Sequence, residues 1–212
     1  SRAPLRILHL SDLHFFKGQH ARRAYLHRLA QELSTLDFLF ITGDLIDDDS
    51  GIDLCLDALQ PFQSQYGGYA VLGNHDHSFV RLRDVFHNAG SYIKRPRSPN
   101  NTTRLIQGLA GIGVTVLRNE RCTVPVGEGK ITIAGLDDPY LRKADVAKTF
   151  AGYTKNEPCL ALSHTPDPYP ALIEAGADMI FTGHTHGGQI RVPLLGPGIT
   201  RTTAPRHVVP GL

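Results

Sequence analysis

The chain has 212 residues, of which 20% are charged and 41% are hydrophobic, and its formal net charge is +2 at pH 7. That length suits one domain with a sizeable core, and so small a net charge argues against a protein that binds nucleic acid through bulk positive charge. No stretch approaches the roughly 20 apolar residues of a membrane-spanning helix, and residues 1–10 lack a signal-peptide pattern.

The N-terminal third of the chain alternates between strand-like and helical patterns. Residues 5–10 are strand-like, and residues 38–41 form a continuous apolar run, as expected of a strand that is covered on both faces. Apolar side chains recur at helical spacing over residues 21–34 and about 52–64, and residues 69–72 form a third strand. This order predicts a sheet with helices outside it.

A basic segment follows the third strand. Apolar side chains at helical spacing begin it, and prolines and asparagines then interrupt regular structure. We interpret residues 79–108 as a small cap-like insertion in a single domain formed by residues 1–212. The insertion is either a lid whose arginines grip the substrate or a solvated surface segment. The candidate substrate-binding residues are Arg81, Arg83, Lys94, Arg95 and Arg97.

The second half begins with three strand-like segments that no predicted helix separates. They cover residues 114–117, 122–126 and 130–136, and their succession predicts a more antiparallel partner sheet. Two sheets packed face to face, with helices outside them, accommodate the whole pattern. The remaining predicted elements are a strand at 159–163, a helix at about 168–176, a strand at 179–182 and a short strand near 189–192.

Five apolar segments each end in a short cluster of Asp, His or Asn. Loops that follow the carboxyl ends of strands can converge on one point, although they are far apart in sequence. Each cluster alone would be typical of a helix cap or a surface turn. Their shared position after buried strands favours two adjacent metal ions, a recurring means of activating water against phosphorus. The clusters are Asp12-Leu13-His14, Gly43-Asp44, Gly73-Asn74-His75-Asp76, Ser163-His164 and Gly183-His184-Thr185-His186.

Spacing within the clusters suggests local geometry. Asp12 and His14 are two residues apart, so an extended chain would project them to the same side, and His184 and His186 repeat that spacing. Asp76 could orient an imidazole by accepting its N–H.

The five motifs, in this order, resemble the calcineurin-like metallophosphoesterase superfamily. The resemblance implies a four-layer α/β/β/α sandwich of two mixed sheets flanked by helices. It also implies two divalent metal ions, with Mn as the first expectation and Fe, Zn or Mg as alternatives. His75 would contact the substrate phosphate or protonate the leaving oxygen, with support from Asp76. The implied ligands are Asp12, His14 and His186 for the first ion, Asn74, His164 and His184 for the second, and Asp44 bridging both.

A narrower resemblance lies in residues 183–193, which are similar to a bacterial subgroup that includes enzymes resembling UDP-2,3-diacylglucosamine pyrophosphatases. It implies cleavage of a phosphodiester or pyrophosphate bond, with UDP-2,3-diacylglucosamine, cleaved to UMP and lipid X in lipid A synthesis, as a candidate substrate. One alternative is a phosphodiesterase or phosphatase for soluble nucleotides or other small phosphate esters. The other is a metal-binding scaffold without catalysis.

The partners and location follow from the same observations. We expect a small-molecule or lipid-linked phosphate substrate, no nucleic acid and a monomeric protein. The three cysteines are odd in number and lack zinc spacing, which favours buried thiols in a reducing compartment. We therefore expect a cytoplasmic protein, with peripheral membrane contact through a segment that is absent from this chain.

Overall fold

A computed structural model of the chain describes residues 4–33, 35–79, 98–186, 191–192, 196–197 and 202. Strands and helices alternate through most of this part of the chain. In chain order they are β1 (Ile7–Leu10), α1 (His20–Glu32), β2 (Phe38–Thr42), α2 (Ile52–Leu59), β3 (Gly68–Val71), α3 (Asn74–His77), β4 (Ser78–Phe79), β5 (Ser98–Pro99), α4 (Thr102–Gly111), β6 (Val114–Val116), β7 (Glu120–Val126), β8 (Gly129–Gly135), α5 (Val146–Phe150), β9 (Cys159–Ser163), α6 (Tyr169–Ala175), β10 (Met179–Thr182), β11 (Arg191–Val192) and β12 (Gly196–Pro197).

The first large sheet has the strand order β1-β2-β3-β6, and all its neighbouring strands are parallel. The sequence interpretation that grouped residues 114–117 with an antiparallel partner sheet is therefore wrong, because β6 pairs with β3, with Gly68 opposite Val114. The connection that allows this parallel pairing includes α4, a helix that begins inside the basic segment and was not predicted.

The second large sheet has the order β10-β9-β8-β7. Its first three strands are parallel, and only β7 and β8 form an antiparallel pair. The predicted antiparallel character is thus confined to one hairpin. The expectation of two mixed sheets holds for the second sheet, whereas the first sheet is parallel throughout.

The two sheets pack against each other through side chains that alternate along their strands. In β2, Phe38 and Phe40 enter the core between the sheets, while Leu39 and Ile41 face the helices. The second sheet contributes Leu160 and other apolar residues to the same inner core. All five residues of β2 are buried, which explains the continuous apolar run.

Helices cover the outer face of each sheet. Side chains of α1, α2 and α4 pack on the first sheet, with Leu105 and Leu109 of α4 fully buried. Leu172 of α6 packs on the second sheet, beside partly buried residues of α5. The four-layer α/β/β/α sandwich is therefore confirmed, and both sheets direct the carboxyl ends of their central strands toward one edge.

The start of the basic segment pairs with a short strand inside that segment, next to α3. β4 and β5 form an antiparallel pair, with Ser78 opposite Pro99 and Phe79 opposite Ser98. The chain therefore leaves and returns at one place, directly after the helix that carries His75.

The cysteines and helices bear on the expected location. Cys55 and Cys159 are buried, Cys122 is half-buried, and all three lie within the described residues as free thiols. Among the helices that the structure describes, none is long and apolar enough to cross a membrane.

Candidate metal centre

The predicted clusters lie at the carboxyl ends of five strands drawn from both sheets. Asp12 follows β1 and Asp44 follows β2, and the backbone N–H of His14 donates to the carbonyl oxygen of Asp44 at 2.9 Å. From the second sheet, the backbone N–H of His184 donates to both carboxylate oxygens of Asp12, at 3.1 and 3.0 Å. These bonds join the two sheets at the edge where the clusters converge.

One group of possible metal ligands contains Asp12, His14 and His186. Each offers one nitrogen or oxygen atom, and these atoms all lie within 4.8 Å of one another. The Nε2 atom of His186 is 3.5 Å from Oδ1 of Asp12, and the rings of His14 and His186 stack with centroids 5.3 Å apart. The structure thus brings together the three residues predicted for the first ion.

A second group contains Asp44, His164 and His184, all of them buried. Oδ2 of Asp44 lies 3.3 Å from Nε2 of His164 and 3.8 Å from Nε2 of His14. The carboxylate of Asp44 is therefore located between the two groups, as a residue that bridges two ions must be. Its other oxygen, Oδ1, accepts the backbone N–H of His75 at 2.8 Å.

Buried polar atoms without a partner provide a test of whether cations fit this site. Within the described residues, five buried side-chain atoms make no hydrogen bond; Oδ1 of Asn100 and Oγ1 of Thr165 are two of them, and the other three are Nε2 of His14, Oδ1 of Asn74 and Nε2 of His184. An unsatisfied buried polar atom costs on the order of 1–3 kcal/mol, so the last three require an explanation. All three belong to predicted ligands, and divalent cations would satisfy them.

The protonation of the histidines is consistent with that fit. Burial lowers the pKa of His164, but the hydrogen bond and negative charge of Asp44 outweigh it and raise the pKa to about 9. Burial and the neighbouring positive His164 lower the pKa of His184 to about 4, so its imidazole is neutral, the form that binds metals. In the protein alone, protonated His164 thus supplies a positive charge beside the carboxylate of Asp44. A metal cation bound there would neutralise the same carboxylate.

The backbone at the ligands differs from the sequence expectation. Asp12 and His14 have φ angles of 54° and 46°, and His184 and His186 have 67° and 48°. These left-handed conformations show that the argument from extended spacing is wrong. Asp12 and His14 still reach one group, whereas His184 and His186 belong to different groups. Left-handed backbone is unfavourable for non-glycine residues and clusters at functional sites, so the surrounding structure must hold these turns in place.

Glycines allow the loops to approach the ligands closely. Gly43 has a φ of 85°, and a Cβ atom at Gly73 would overlap the carboxylate and backbone N–H of Asp44. The Gly-Asp and Gly-Asn dipeptides in the sequence therefore reflect close packing between the loops after β2 and β3.

We expect Gly73→Ala to weaken metal binding and to destabilise the fold by about 1–3 kcal/mol, because the added methyl group must displace Asp44. Urea denaturation and calorimetric titration with Mn²⁺ measure the two effects. Gly111→Ala is the matched control, since a Cβ atom there meets nothing within 4 Å. Equal Mn²⁺ affinity in the two variants would contradict the prediction.

Asp47 is a site residue that the sequence analysis missed. Its Oδ1 atom lies 2.7 Å from Nδ1 of His14 and 3.1 Å from Nδ1 of His75. A carboxylate only accepts, so both rings donate from Nδ1 and leave Nε2 available. Burial raises the pKa of Asp47, but the hydrogen bonds from both histidines hold it well below its usual range. The signal in the sequence was an acid three residues after Asp44, which alone is too common to interpret.

Asp76 makes backbone hydrogen bonds that the sequence analysis did not predict, and its support of His75 stays a prediction. Its fully buried carboxylate accepts the backbone N–H groups of Leu45, Ile46 and Gly73 at 2.8, 3.1 and 2.9 Å. Burial and the charge of Asp44 raise the pKa of Asp76 to about 6. Asp76 therefore ties the loop after β2 to the loop after β3.

We expect Asp76→Ala to destabilise the fold by about 3 kcal/mol or more, because three buried N–H groups would lose their acceptor. Asp76→Asn retains an acceptor oxygen and should cost less. Urea denaturation of both variants checks the order. Equal losses would show that the carboxylate does not act through these hydrogen bonds.

Asn100 is the second residue that the sequence analysis missed. Its side-chain amide donates to the carbonyl oxygens of His75 and Asp47, at 2.8 and 3.4 Å. Its backbone N–H donates to the carbonyl oxygen of His77 at 3.0 Å. Asn100, which directly follows β5, thus holds together the two backbone segments that carry His75 and Asp47.

The five predicted substrate-binding residues belong to the basic segment. Their role in substrate binding stays a prediction, because all five lie outside the described residues. They are Arg81, Arg83, Lys94, Arg95 and Arg97.

Comparison with known proteins identifies relatives over most of the chain. A family model described as calcineurin-like phosphoesterase matches residues 5–188. The chain is 30% identical to the uncharacterized metallophosphoesterase YkoQ of Bacillus subtilis, over 91% of this chain and 65% of YkoQ. It is 28% identical to the UDP-2,3-diacylglucosamine pyrophosphatase LpxG of Chlamydia muridarum, over 89% of this chain and 65% of LpxG. The chain thus spans about 65% of the length of these relatives.

A solved structure supports the fold. The phosphopantetheinyl hydrolase PptH from Mycobacterium tuberculosis superposes with a TM-score of 0.52 at 14% sequence identity, over 85% of this chain and 83% of PptH. At that identity the similarity concerns the arrangement of strands and helices alone.

Proposed function

The chain belongs to the calcineurin-like phosphoesterase family, and we propose that it cleaves a phosphodiester or pyrophosphate bond with water activated by two divalent metal ions. Family membership makes it a metal-dependent phosphoesterase. The number of ions, the bond that is cleaved and the role of each residue belong to the proposal.

The observation that carries the proposal is the position of Asp44 between two groups of possible ligands. Its Oδ2 atom lies near His14 on one side and near His164 on the other. The unpartnered atoms of His14, Asn74 and His184 add further ligands. A mixed set of carboxylate, amide and imidazole suits Mn, Fe or Zn, with Mn²⁺ as the first ion to test.

The two cations and the chain's own residues would contribute different parts of the chemistry. Two adjacent cations would supply charge to neutralise phosphoryl oxygens and to lower the pKa of a water molecule. His75 is partly exposed and lies beside His14, with ring centroids 4.8 Å apart. Held by Asp47 through Nδ1, it presents Nε2 to the substrate, where it protonates the leaving oxygen.

For the substrate, we propose a nucleotide-linked lipid, UDP-2,3-diacylglucosamine, cleaved to UMP and lipid X. The similarity to LpxG, whose name states that substrate, supports this choice. The junction of β4 and β5 supports a lid, because the segment between them starts and ends beside α3. Contact with a membrane surface would follow from a lipid substrate. A soluble nucleotide or another small phosphate ester is the alternative.

Assays with two substrates distinguish these alternatives. The protein with added Mn²⁺ is mixed with UDP-2,3-diacylglucosamine in detergent, and the products are identified by mass. Release of UMP would support the lipid-linked substrate. Cleavage of bis-p-nitrophenyl phosphate without turnover of the lipid would favour the small-substrate alternative. Failure on both, with Mn²⁺ bound, would leave the non-catalytic scaffold and overturn the proposed function.

A further inference from the structure

An aromatic side chain stands at the edge of the metal centre without a role in the proposed chemistry. Tyr140 is 46% exposed, and its ring lies 5.2 Å from the ring of His184, at an angle of 43°. His184 itself is buried. Tyr140 thus contacts a predicted ligand and still presents much of its surface to solvent beside the place where a phosphate would bind.

The loop that carries Tyr140 is held rigidly by a buried carboxylate. Asp138 is fully buried, and its two oxygens accept the backbone N–H groups of Tyr140 and Leu141 at 3.0 and 3.1 Å. The carbonyl oxygen of Asp138 accepts the N–H of Lys143 at 2.9 Å, which closes the turn. An exposed ring on so constrained a backbone is preorganised. A ligand can therefore bind it without the entropic cost of ordering the loop.

The neighbouring Asp137 connects the same loop to the helix that carries His75. Its Oδ1 atom lies 3.2 Å from Nε2 of His77, which is in α3, and its Oδ2 atom accepts two hydrogen bonds from Arg118 at 2.9 and 3.0 Å. Asn119 adds a further connection, because its side-chain oxygen accepts the N–H of Asp137 at 3.1 Å. Tyr140 and His75 are therefore fixed relative to each other, in segments that follow strands of different sheets.

We propose that Tyr140 stacks against a flat ring of the substrate, such as a nucleobase, while the phosphate of the same molecule lies at the metal centre. The inference deepens the proposed function, on which it rests for the position of the phosphate. An exposed aromatic face offers every base a stacking surface, whatever its hydrogen-bonding pattern. The substrate class is then a nucleoside phosphate ester or anhydride, with the base on the side of the loop after β8.

Two chromogenic diesters with the same leaving group test the inference. The p-nitrophenyl ester of thymidine 5′-monophosphate carries a base, and methyl p-nitrophenyl phosphate does not. With the Mn²⁺-loaded enzyme, Tyr140→Ala should lower the ratio of kcat/KM for the thymidine ester to that for the methyl ester by about tenfold, mainly through KM. Tyr140→Phe keeps the ring and should retain the ratio. A ratio that Tyr140→Ala leaves unchanged would overturn the inference.

Two further measurements keep the result unambiguous. Bound Mn²⁺ per chain is measured for each variant, and loss of Mn²⁺ from Tyr140→Ala would show that Tyr140 only supports His184, which would overturn the inference. Calorimetry compares UMP with ribose 5-phosphate. If the wild-type protein hydrolyses neither ester, the calorimetry decides the inference: Tyr140→Ala should weaken binding of UMP more than binding of ribose 5-phosphate, and equal weakening would overturn it. The proposed function is decided separately, by turnover of UDP-2,3-diacylglucosamine and of bis-p-nitrophenyl phosphate.

Discussion

Asp44→Asn is expected to lower hydrolysis of bis-p-nitrophenyl phosphate on the order of a thousandfold and to reduce bound Mn²⁺ per chain. The substitution retains the shape of the side chain and one oxygen that can accept the N–H of His75, but it removes the negative charge between the two groups of ligands. Charge stabilisation by bound cations is worth several kcal/mol in a phosphoryl transition state, and each 1.4 kcal/mol corresponds to a factor of ten.

Asp53→Asn is the matched control for that experiment. Asp53 is a largely exposed carboxylate on α2 that pairs with Arg104 at the surface, where an ion pair contributes at most about 1 kcal/mol. The Asp53→Asn variant should retain the activity and the Mn²⁺ content of the wild-type protein. If Asp44→Asn also bound as much Mn²⁺ as the wild-type protein and turned over at a similar rate, Asp44 would not bridge two ions.

The sequence predicted which candidate ligands come together better than it predicted the sheets around them. The clusters at Asp12, Asp44 and His164 follow apolar strands, and parallel strands deliver their carboxyl ends to a common edge, so convergence could be inferred without coordinates. In contrast, the pairing of β6 depends on α4, and α4 was hidden by prolines and asparagines that end just before it. The local composition indicated a turn and gave no sign of α4, which directly follows it.

The residues that orient the site were less predictable than the ligands. Asp47 and Asn100 act through hydrogen bonds that depend on the relative position of two loops. Neither residue lies in a motif with a spacing that requires its chemistry. Asp76 lies in such a motif and was assigned to the His75 ring, but its carboxylate faces the backbone of the loop after β2. Adjacency in sequence suggested the His75 ring as the partner, whereas the hydrogen bonds of the carboxylate are with backbone N–H groups.

The left-handed backbone conformation of the predicted ligands explains why the ligands were more predictable than the residues that orient the site. Asp12, His14 and Asp44 each adopt a positive φ, which a strand-end motif alone would not predict. Each such residue is held by bonds to a neighbouring loop, for example from the N–H of Asp12 to the carbonyl oxygen of Gly43 at 3.0 Å. The ligand types could therefore be inferred from the motifs, whereas their directions depend on contacts between loops.

His75→Ala is expected to reduce kcat by about 100- to 10,000-fold while bound Mn²⁺ per chain stays at the wild-type level. The reason is that His75 contacts Asp47 and His14 and is proposed to act on the leaving oxygen rather than as a metal ligand. His20→Ala, which removes an exposed histidine of α1, is the matched control. Loss of Mn²⁺ from His75→Ala would contradict the assigned role.

The leaving group distinguishes protonation by His75 from simple contact with the phosphate. Methyl p-nitrophenyl phosphate expels a stable anion that needs little protonation, whereas methyl phenyl phosphate expels a more basic one. A proton donor should therefore matter more for the phenyl ester, and His75→Ala should reduce its turnover by the larger factor. Equal losses on both esters would assign His75 to binding of the phosphate.

Asp47→Asn then tests whether the carboxylate acts through His75. At saturating Mn²⁺, which compensates for a weakened His14, we expect a loss of about 10- to 100-fold in kcat. In a His75→Ala background, Asp47→Asn should lower kcat by a much smaller factor, because the ring that Asp47 orients is already absent. Additive losses in the double variant would show that Asp47 contributes independently, through His14 or through the substrate, and that the hydrogen bond to His75 does not explain its effect.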